Sequence, residues 1–236
     1  MSTAPWWEAA FDEDYLEVYA HRDDAQGAAE IAGLLPHLHG PVLDAGCGGG
    51  RHLAALRAAG LTALGFDFSA PLLTAARDRP AVRGRLAQGD LRRPPVAEGA
   101  WGAVLLLFTA FGYFDDDTNG ATLAALGRLL RPDGMLVLDL PHAERVRKTL
   151  VPRSQRTTAS GIRIQEERWL TPTRVEKRVT LTHADGRTRS YVESVRLYED
   201  LAPLAQAAGL RVRQMWPSLR GADIDEGRQV WWLEPT

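Results

Sequence analysis

A glycine-rich segment around residue 46 is the strongest chemical signal in the sequence. An apolar run ends in Asp44, and Gly46, Gly48 and Gly50 follow before a helical segment begins. Glycine lets the backbone pass close to a ligand and adopt a positive φ that other residues disfavour. The dinucleotide fingerprint would need a further glycine where Arg51 stands, so the spacing disfavours NAD and FAD. It favours a cofactor made of a nucleoside and a zwitterionic amino acid, whose ammonium group Asp44 can bind.

Two further carboxylates stand at the ends of apolar runs. Asp67 follows the run that ends in Phe66, where it can accept hydrogen bonds from both hydroxyls of a ribose. Asp90 follows the next run, within reach of an adenine amino group. Each aspartate alone is also typical of a loop residue that caps the next helix. Three carboxylates at successive strand ends, however, would line one crevice of an open α/β sheet.

The elements that must position these carboxylates alternate between strands and helices. Apolar runs predict strands at 41–45, 61–66, 82–87, 101–108 and 135–140, with helices at 51–59, 69–77 and 117–130. The interval 131–134 is typical of a turn. Strands that alternate with helices imply βαβ units and a parallel sheet with helices on both faces. Before the first strand, the apolar spacing of residues 11–19 predicts one helix, and 23–35 a second.

The pattern changes after residue 150. Residues 161–170, 174–183 and 188–197 alternate approximately, and Asp185-Gly186 predicts a hairpin, so two or three antiparallel strands are expected. A helix at 199–208 and strands at 210–216 and 230–233 close the chain. The predicted organisation is therefore a core with N-terminal helices (1–150), an antiparallel β insertion over the acceptor pocket (151–198) and a return to the core sheet (199–236). The insertion has ten basic and five acidic residues, which fits an anionic acceptor, protected strand edges or a dimer surface.

Taken together, these motifs resemble the class I S-adenosylmethionine-dependent methyltransferases. The resemblance rests on 42–50, 65–69, 89–90, 107–114 and 130–134. It implies a Rossmann-like α/β fold, with a seven-stranded mostly parallel sheet, helices on both faces and the last strand antiparallel. It also implies that Asp44 and Gly46 face the methionine moiety, Asp67 the ribose, and Asp90, Leu91 and Phe68 the adenine. The remaining residues expected around the cofactor are Tyr15, Tyr19, Ala45, Cys47, Gly48, Leu107 and Phe108.

The acceptor is expected to be a small molecule. The segment 107–114 is similar to one in amino-sugar N-methyltransferases, and the resemblance weakens beyond residue 151. Methyl transfer from a sulfonium is an in-line displacement that chiefly needs alignment and exclusion of water. Tyr113 and His142 are the candidate catalytic residues, with aromatic packing and an ordinary loop position as their respective alternatives. The single cysteine and the lack of a histidine cluster predict no metal.

Composition limits the other classes of function. The chain has 236 residues, 45% hydrophobic and 25% charged, with a net charge of −2. We therefore expect a globular protein with no general affinity for nucleic acid. The acidic N-terminal segment lacks the charge and apolar run of a signal peptide, and no apolar stretch spans a bilayer, so a cytoplasmic protein without membrane association is expected, as a monomer or homodimer.

Methyl transfer to oxygen or nitrogen is the leading hypothesis. Aminopropyl transfer from a related cofactor and a non-catalytic, cofactor-binding regulator are the alternatives. An aminopropyltransferase would be expected to carry an acidic motif after the fourth strand. The acidic residues 115–117 lie at a helix start, where capping explains them better.

Overall fold

The computed structural model describes residues 5–236, which contain eleven strands and eight α-helices. The strands are β1 (Val42–Ala45), β2 (Ala63–Asp67), β3 (Leu86–Gln88), β4 (Trp101–Leu106), β5 (Leu130–Pro141), β6 (Arg153–Thr157), β7 (Arg163–Leu170), β8 (Arg174–Thr182), β9 (Thr188–Arg196), β10 (Leu210–Trp216) and β11 (Arg228–Pro235). The helices are α1 (Trp6–Ala10), α2 (Tyr15–Val18), α3 (Asp24–Leu34), α4 (Arg51–Ala58), α5 (Ala70–Arg77), α6 (Asp116–Leu129), α7 (Ala143–Thr149) and α8 (Ala202–Ala207).

The larger sheet has seven strands in the order β10-β11-β5-β4-β1-β2-β3. Strands β1 to β5 are paired in parallel, whereas β11 is antiparallel to both of its neighbours, β5 and β10. The predicted mostly parallel sheet with an antiparallel last strand is thus confirmed. The carboxyl ends of β1 to β4 meet at one edge, which is where ligands bind in open α/β sheets.

Apolar side chains cover both faces of this sheet, because successive strand residues point to opposite sides. On one face, Leu43 belongs to a core cluster that includes Leu126 of α6. On the other face, Val42 belongs to a cluster that includes Ile31 of α3 and Leu53 of α4. The two clusters hold the strand ends, and hence the residues of the site, at fixed positions.

The smaller sheet contains β6, β7, β8 and β9 in that order, and every pair is antiparallel. Apolar side chains on its inner face pack against the N-terminal helices. Ala10 and Val18 form one core cluster with Ile164, Val179 and Tyr191 of the sheet. The insertion and the N-terminal helices therefore stabilise each other.

Ion pairs join the same two parts. Arg189 of β9 pairs with Asp12 and lies 3.0 Å from a carboxylate oxygen of Asp14. Arg156 of β6 donates to the carbonyl oxygen of Val18 at 2.7 Å. Part of the positive charge of the insertion is thus matched by the acidic N-terminal segment. These contacts explain Arg156 and Arg189, so neither residue requires that the substrate be anionic.

Several predicted strand bounds are wrong. The third strand, expected to begin at residue 82, begins only at Leu86, and residues 80–82 form a short 3-10 helix. The fourth strand ends at Leu106, and Phe108 and Thr109 have φ values of 57° and 63°. The predicted turn at 131–134 is an irregularity within β5, where the register against β4 shifts. The insertion has a fourth strand, β6, which was not predicted.

The helices differ from the expectation in the N-terminal segment and after β5. Of the helix predicted over 11–19, only α2 is helical, because the backbone turns where the Asp14 N–H donates to a carboxylate oxygen of Asp12 at 3.0 Å. Helix α1 lies before the predicted range. Helix α7 was missed, and α8 begins at Ala202 rather than at residue 199. Asp115 caps α6 by accepting from the backbone N–H of Thr118 at 2.8 Å, as expected for the acidic run 115–117.

Candidate functional site

A cavity of about 660 Å³ lies at the carboxyl ends of β1, β2 and β4. Its walls come from the N-terminal segment 7–25, the glycine-rich loop 46–52 and the segments that follow β2, β3 and β4. The predicted cofactor residues that line it are Tyr15, Tyr19, Gly46, Cys47, Gly48, Asp67, Phe68, Asp90, Leu91, Leu107 and Phe108. Ala45 lies in the hydrophobic core, and Asp44 lies beneath the loop without lining the cavity.

The glycine-rich loop forms the floor of the cavity. Gly46, Gly48 and Gly50 have φ values of 73°, 50° and 76°, which glycine adopts without the penalty of a Cβ atom. The backbone N–H groups of Gly46 and Cys47 both donate to the carbonyl oxygen of Phe66, at 2.8 and 3.0 Å. The loop is therefore tied to β2, and its backbone forms a surface that a ligand can approach closely.

Asp67 joins this loop to the start of α5. Its two carboxylate oxygens accept from the backbone N–H groups of Gly48 and Ser69, each at 2.8 Å. Burial raises the pKa of Asp67, while these two hydrogen bonds favour the ionised form and oppose that rise. Each oxygen keeps an acceptor position beyond its backbone bond. The carboxylate can therefore accept hydrogen bonds from two neighbouring hydroxyl groups of a ligand.

Asp44 behaves differently, although it is also a buried aspartate at a strand end. It is 1% exposed, and one of its carboxylate oxygens has no hydrogen-bond partner among residues 5–236. Burial raises the pKa of Asp44 to about 6, and the nearby His52 and Arg51 limit the rise. A buried carboxylate oxygen without a partner is a natural place for a donor group, so contact with a ligand's ammonium group stays a prediction for this residue.

Two arginines line the part of the cavity around Phe108. The guanidinium carbons of Arg22 and Arg51 lie 4.8 and 5.6 Å from the centre of the Phe108 ring. Arg51 also donates to Glu30 at 2.7 Å, and His52 lies at hydrogen-bond distance from the same carboxylate oxygen. The Nη2 atom of Arg51 and the Nε atom of Arg22 are buried without a hydrogen-bond partner in the described chain. Two buried cationic donors without acceptors fit an anionic group on the ligand.

Arg51 was not singled out from the sequence as a residue of the site. One signal was available, because Arg51 occupies the position where a dinucleotide-binding loop has glycine. Phe108, which both arginines approach, is held at positive φ by its N–H bond to Asp139 at 2.8 Å. Strained backbone of this kind concentrates at functional sites.

Asp90 lines the opposite end of the cavity and is already paired. Arg92 binds its carboxylate through Nε and Nη2, at 3.0 and 2.6 Å to the nearer oxygens. This hydrogen bonding lowers the pKa of Asp90. The Arg92 guanidinium also lies over the rings of Phe114 and Trp7, at 5.0 and 5.9 Å from their centres. Arg92 therefore orients Asp90.

The N-terminal segment covers the cavity with aromatic side chains, and we call residues 6–22 the lid. Tyr15 packs against Tyr19 with their ring centres 4.7 Å apart, and Tyr19 lies edge-on to Phe108 at 5.7 Å. The Ser69 hydroxyl donates to the backbone carbonyl of Phe11 at 2.6 Å. Because Ser69 also donates its N–H to Asp67, one residue connects the lid to a carboxylate of the site.

The two candidate catalytic residues have different surroundings. Tyr113 lines the cavity, next to Trp6 of the lid at 4.9 Å between ring centres, and burial raises its pKa, so its hydroxyl stays neutral. His142 does not line the cavity. Instead it is the N-cap of α7, where its Nδ1 atom accepts from the Arg145 N–H at 3.4 Å. Its position after β5 is explained by this cap.

No residue of the insertion lines the cavity. The smaller sheet lies behind the lid. Its expected role as a wall of the acceptor pocket stays a prediction, and the sheet could influence the cavity only through the lid. Within residues 5–236, no group of three or more His, Cys, Asp or Glu side chains is arranged to hold a metal ion. No helix in the same range is long and apolar enough to cross a membrane.

Comparisons with known proteins agree with this geometry. Residues 42–134 match the family described as "Methyltransferase domain". No curated protein matches the sequence. Among solved structures, the CcbJ methyltransferase of Streptomyces caelestis has a TM-score of 0.79 at 18% identity, covering 96% of this chain and 98% of that one. The S-adenosylmethionine-dependent methyltransferase of Clostridium acetobutylicum ATCC 824 has a TM-score of 0.76 at 16% identity, with 94% and 96% covered.

A third solved structure is more similar in sequence. CalS10 of Micromonospora echinaspora, an amino pentose methyltransferase involved in calicheamicin biosynthesis, is 25% identical with a TM-score of 0.68, covering 94% of this chain and 96% of that one. The matched domain contains the glycine-rich loop and all three strand-end carboxylates. Residues 42–134 therefore form a methyltransferase domain, and the chain as a whole shares its fold with solved S-adenosylmethionine-dependent methyltransferases.

Proposed function

We propose that this protein transfers the methyl group of S-adenosylmethionine to a nitrogen atom of a small molecule without using a metal ion. The observation that carries the proposal is the set of unsatisfied polar groups that line one cavity or lie directly beneath its glycine-rich loop. Asp67 retains free acceptor positions, Asp44 has a buried oxygen without a partner, and Arg22 and Arg51 have buried donors without acceptors. These groups complement the two ribose hydroxyls, the ammonium and the carboxylate of that cofactor.

The residues of the chain would bind the cofactor in a fixed orientation. Asp67 would accept from the ribose, the glycine-rich loop would lie along the ligand, and the Asp90 and Phe68 end of the cavity would receive the adenine. Arg22 and Arg51 would bind the carboxylate. When bound, the cofactor supplies an electrophilic methyl group on a sulfonium cation.

The lid would contribute alignment and exclusion of water. Aromatic faces attract a cation that has lost its water shell, and Tyr15, Tyr19 and Phe108 lie together at the cavity wall. Tyr113 has a neutral hydroxyl that can hydrogen-bond an acceptor amine and orient its lone pair. His142 is the weaker candidate because it caps α7 outside the cavity.

Nitrogen is favoured over oxygen by the named functions of similar structures. CalS10 is an amino pentose methyltransferase, and KedS8, 20% identical with a TM-score of 0.70, is a sugar N-methyltransferase. An amino sugar is therefore the first acceptor class to test. Aminopropyl transfer is disfavoured because its decarboxylated cofactor lacks the group that Arg22 and Arg51 would bind.

The test is a transfer assay with S-adenosylmethionine labelled in its methyl group and a panel of nucleotide-linked amino sugars, in excess EDTA. Labelled product is expected with an amino acceptor, and the matching hydroxy sugar should give none. Activity that disappears in EDTA and returns with magnesium would contradict the metal-independent mechanism. Cofactor binding without transfer to any member of a broad amine and alcohol panel would favour the non-catalytic regulator.

A further inference from the structure

The inner face of the smaller sheet carries an ion pair that reaches the lid. Lys177 of β8 and Glu193 of β9 are opposite each other in the strand register. The Lys177 ammonium lies 2.6 Å from a carboxylate oxygen of Glu193, and each side chain is only 16% exposed. Directly opposed side chains on one sheet face are natural partners, so the two strands fix this pair in place.

The pair encloses the hydroxyl group of one lid residue. Lys177 donates to the Tyr19 hydroxyl at 2.6 Å, and that hydroxyl donates to Glu193 at 3.3 Å. The Lys177 ammonium is also 5.2 Å from the centre of the Tyr19 ring. The same ring packs against Tyr15 and Phe108 at the cavity wall. Tyr19 therefore joins the insertion to the cavity through one side chain.

Stability alone does not account for this arrangement. A buried ion pair loses so much hydration that replacing it by apolar residues of similar volume is often neutral or stabilising. Lysine is also rare here, since only Lys148 and Lys177 are lysines among 28 basic residues. A compact ammonium suits a site between a phenol and a carboxylate, whereas a planar guanidinium favours paired contacts with a carboxylate.

We propose that Lys177 and Glu193 are positioning residues that hold Tyr19 against the bound cofactor, so that the insertion controls how long the cofactor stays bound. The inference rests on the proposed function, because it takes the cavity to be the cofactor site. It assigns the insertion a role in cofactor retention through the lid, which differs from contact with the acceptor.

The experiment compares variants by the dissociation rate of S-adenosylhomocysteine and by the midpoint of thermal unfolding. Tyr19→Phe keeps the ring and removes the hydroxyl. The double variant Lys177→Met with Glu193→Leu removes both charges and keeps similar volume. We expect both to release the ligand about tenfold faster, equal to ~1.4 kcal/mol, while the double variant unfolds at the wild-type temperature or above. Tyr191→Phe is the matched control. The Tyr191 hydroxyl lies on β9, the strand of Glu193, and is buried without a hydrogen-bond partner in the described chain.

Two results would overturn the proposal. One is an unchanged dissociation rate in both Tyr19→Phe and the double variant. The other is a faster dissociation that only follows a lowered unfolding temperature in Tyr19→Phe and the double variant, with an equal change in both quantities in Tyr191→Phe. If the wild-type protein does not bind S-adenosylhomocysteine, the proposed function fails, and hydrogen exchange decides the positioning role separately. Tyr19→Phe should then still speed amide exchange over residues 15–22, and unchanged exchange would reject it.

Discussion

At the scale of single residues, two aspartates at neighbouring strand ends differ because their hydrogen-bond partners differ. Asp67 accepts from two backbone N–H groups, whereas one oxygen of Asp44 has no partner among the described residues. Both carboxyls are buried, and burial without compensation disfavours the charged form. We therefore expect Asp67 to act as an ionised acceptor and Asp44 to reduce stability when no ligand is bound.

Replacement of Asp44 by asparagine tests this expectation through pH. Burial raises the pKa of Asp44 in the folded chain to about 6, above its ordinary value of 3.8. Between these values the folded chain retains a proton that the unfolded chain has lost, so the free energy of unfolding falls as the pH rises through this window. The free energy of unfolding of Asp44→Asn minus that of wild type should therefore be larger at about pH 8 than at about pH 4, by about 2–3 kcal/mol. Urea unfolding of both proteins at both pH values measures the difference.

Asp67 should instead affect binding. Asp67→Ala removes the proposed ribose acceptor and should weaken S-adenosylhomocysteine binding by about 1–3 kcal/mol, the range for a lost hydrogen-bond partner of a charged group. Isothermal titration calorimetry gives the affinity. Asp78→Ala, at the exposed end of α5, is the control and should bind as the wild type does. Equal affinity for wild type and Asp67→Ala would reject the ribose assignment.

The position of a residue at the cavity could be predicted where it followed from spacing, and not where it depended on packing. Asp67 and the glycine-rich loop were expected at one crevice because the ends of apolar runs mark the edge of a parallel sheet, and they line the cavity. Arg51 could not be singled out among so many arginines, since its role depends on which of its donors lacks an acceptor. His142 was selected as the first polar residue after a strand, and the same position is where α7 needed a cap.

At the scale of elements, the acidic lid and the basic insertion form one unit. Arg189 binds Asp12 and the carbonyl oxygen of Ala9, while Arg174 donates to the carbonyl oxygens of Gly112, Tyr113 and Phe114 at 2.9 to 3.0 Å. The hairpin of β8 and β9 therefore supports both the lid and the loop that carries Tyr113. It does so from behind, because none of its residues lines the cavity.

Shortening the hairpin tests this support. Thr180 and Ser190 are opposite each other, so residues 181–189 can be replaced by a two-residue Asn-Gly turn. This change removes Leu181 and Arg189, which contact the lid. We expect the affinity for S-adenosylhomocysteine to fall by about tenfold, which equals ~1.4 kcal/mol and is the size of one lost charged contact. The rate of methyl transfer should fall with it. Unchanged affinity with lost transfer would instead support an acceptor wall.

Elements were predictable when they were buried. The strands β1, β2 and β4 are apolar over most of their length and were located well, whereas β6 is polar and half exposed and gave no alternating signal. The N-terminal helix was predicted as continuous because Phe11, Tyr15, Val18 and Tyr19 have helical spacing. The Asx turn at Asp12 interrupts it, and the same aromatic residues form the lid from two short helices.

At the scale of the whole molecule, the cavity lies between the core sheet and the lid, and the insertion lies behind the lid. The core sheet supplies the loop and the carboxylates, the lid covers them, and the insertion holds the lid. A ligand that contacts both core and lid stabilises the folded chain, because binding to the folded state alone shifts the unfolding equilibrium. The sequence predicted the core and the presence of an insertion, whereas its packing against the lid depends on contacts distant in sequence.

Thermal unfolding therefore distinguishes the proposed cofactor from other adenine nucleotides. S-adenosylhomocysteine at a hundredfold excess over its Kd should raise the free energy of unfolding by about 2.7 kcal/mol. For a chain of this length that corresponds to a rise in Tm of about 5–10 °C. NAD should give no shift, because Arg51 stands where its pyrophosphate would need glycine. Calorimetric scans with each ligand measure Tm, and hydrogen exchange over residues 6–22 shows whether the lid is protected in the same complex. A shift with NAD equal to that with S-adenosylhomocysteine would mean that the cavity recognises only the adenosine they share, which would remove Arg22 and Arg51 from the binding site.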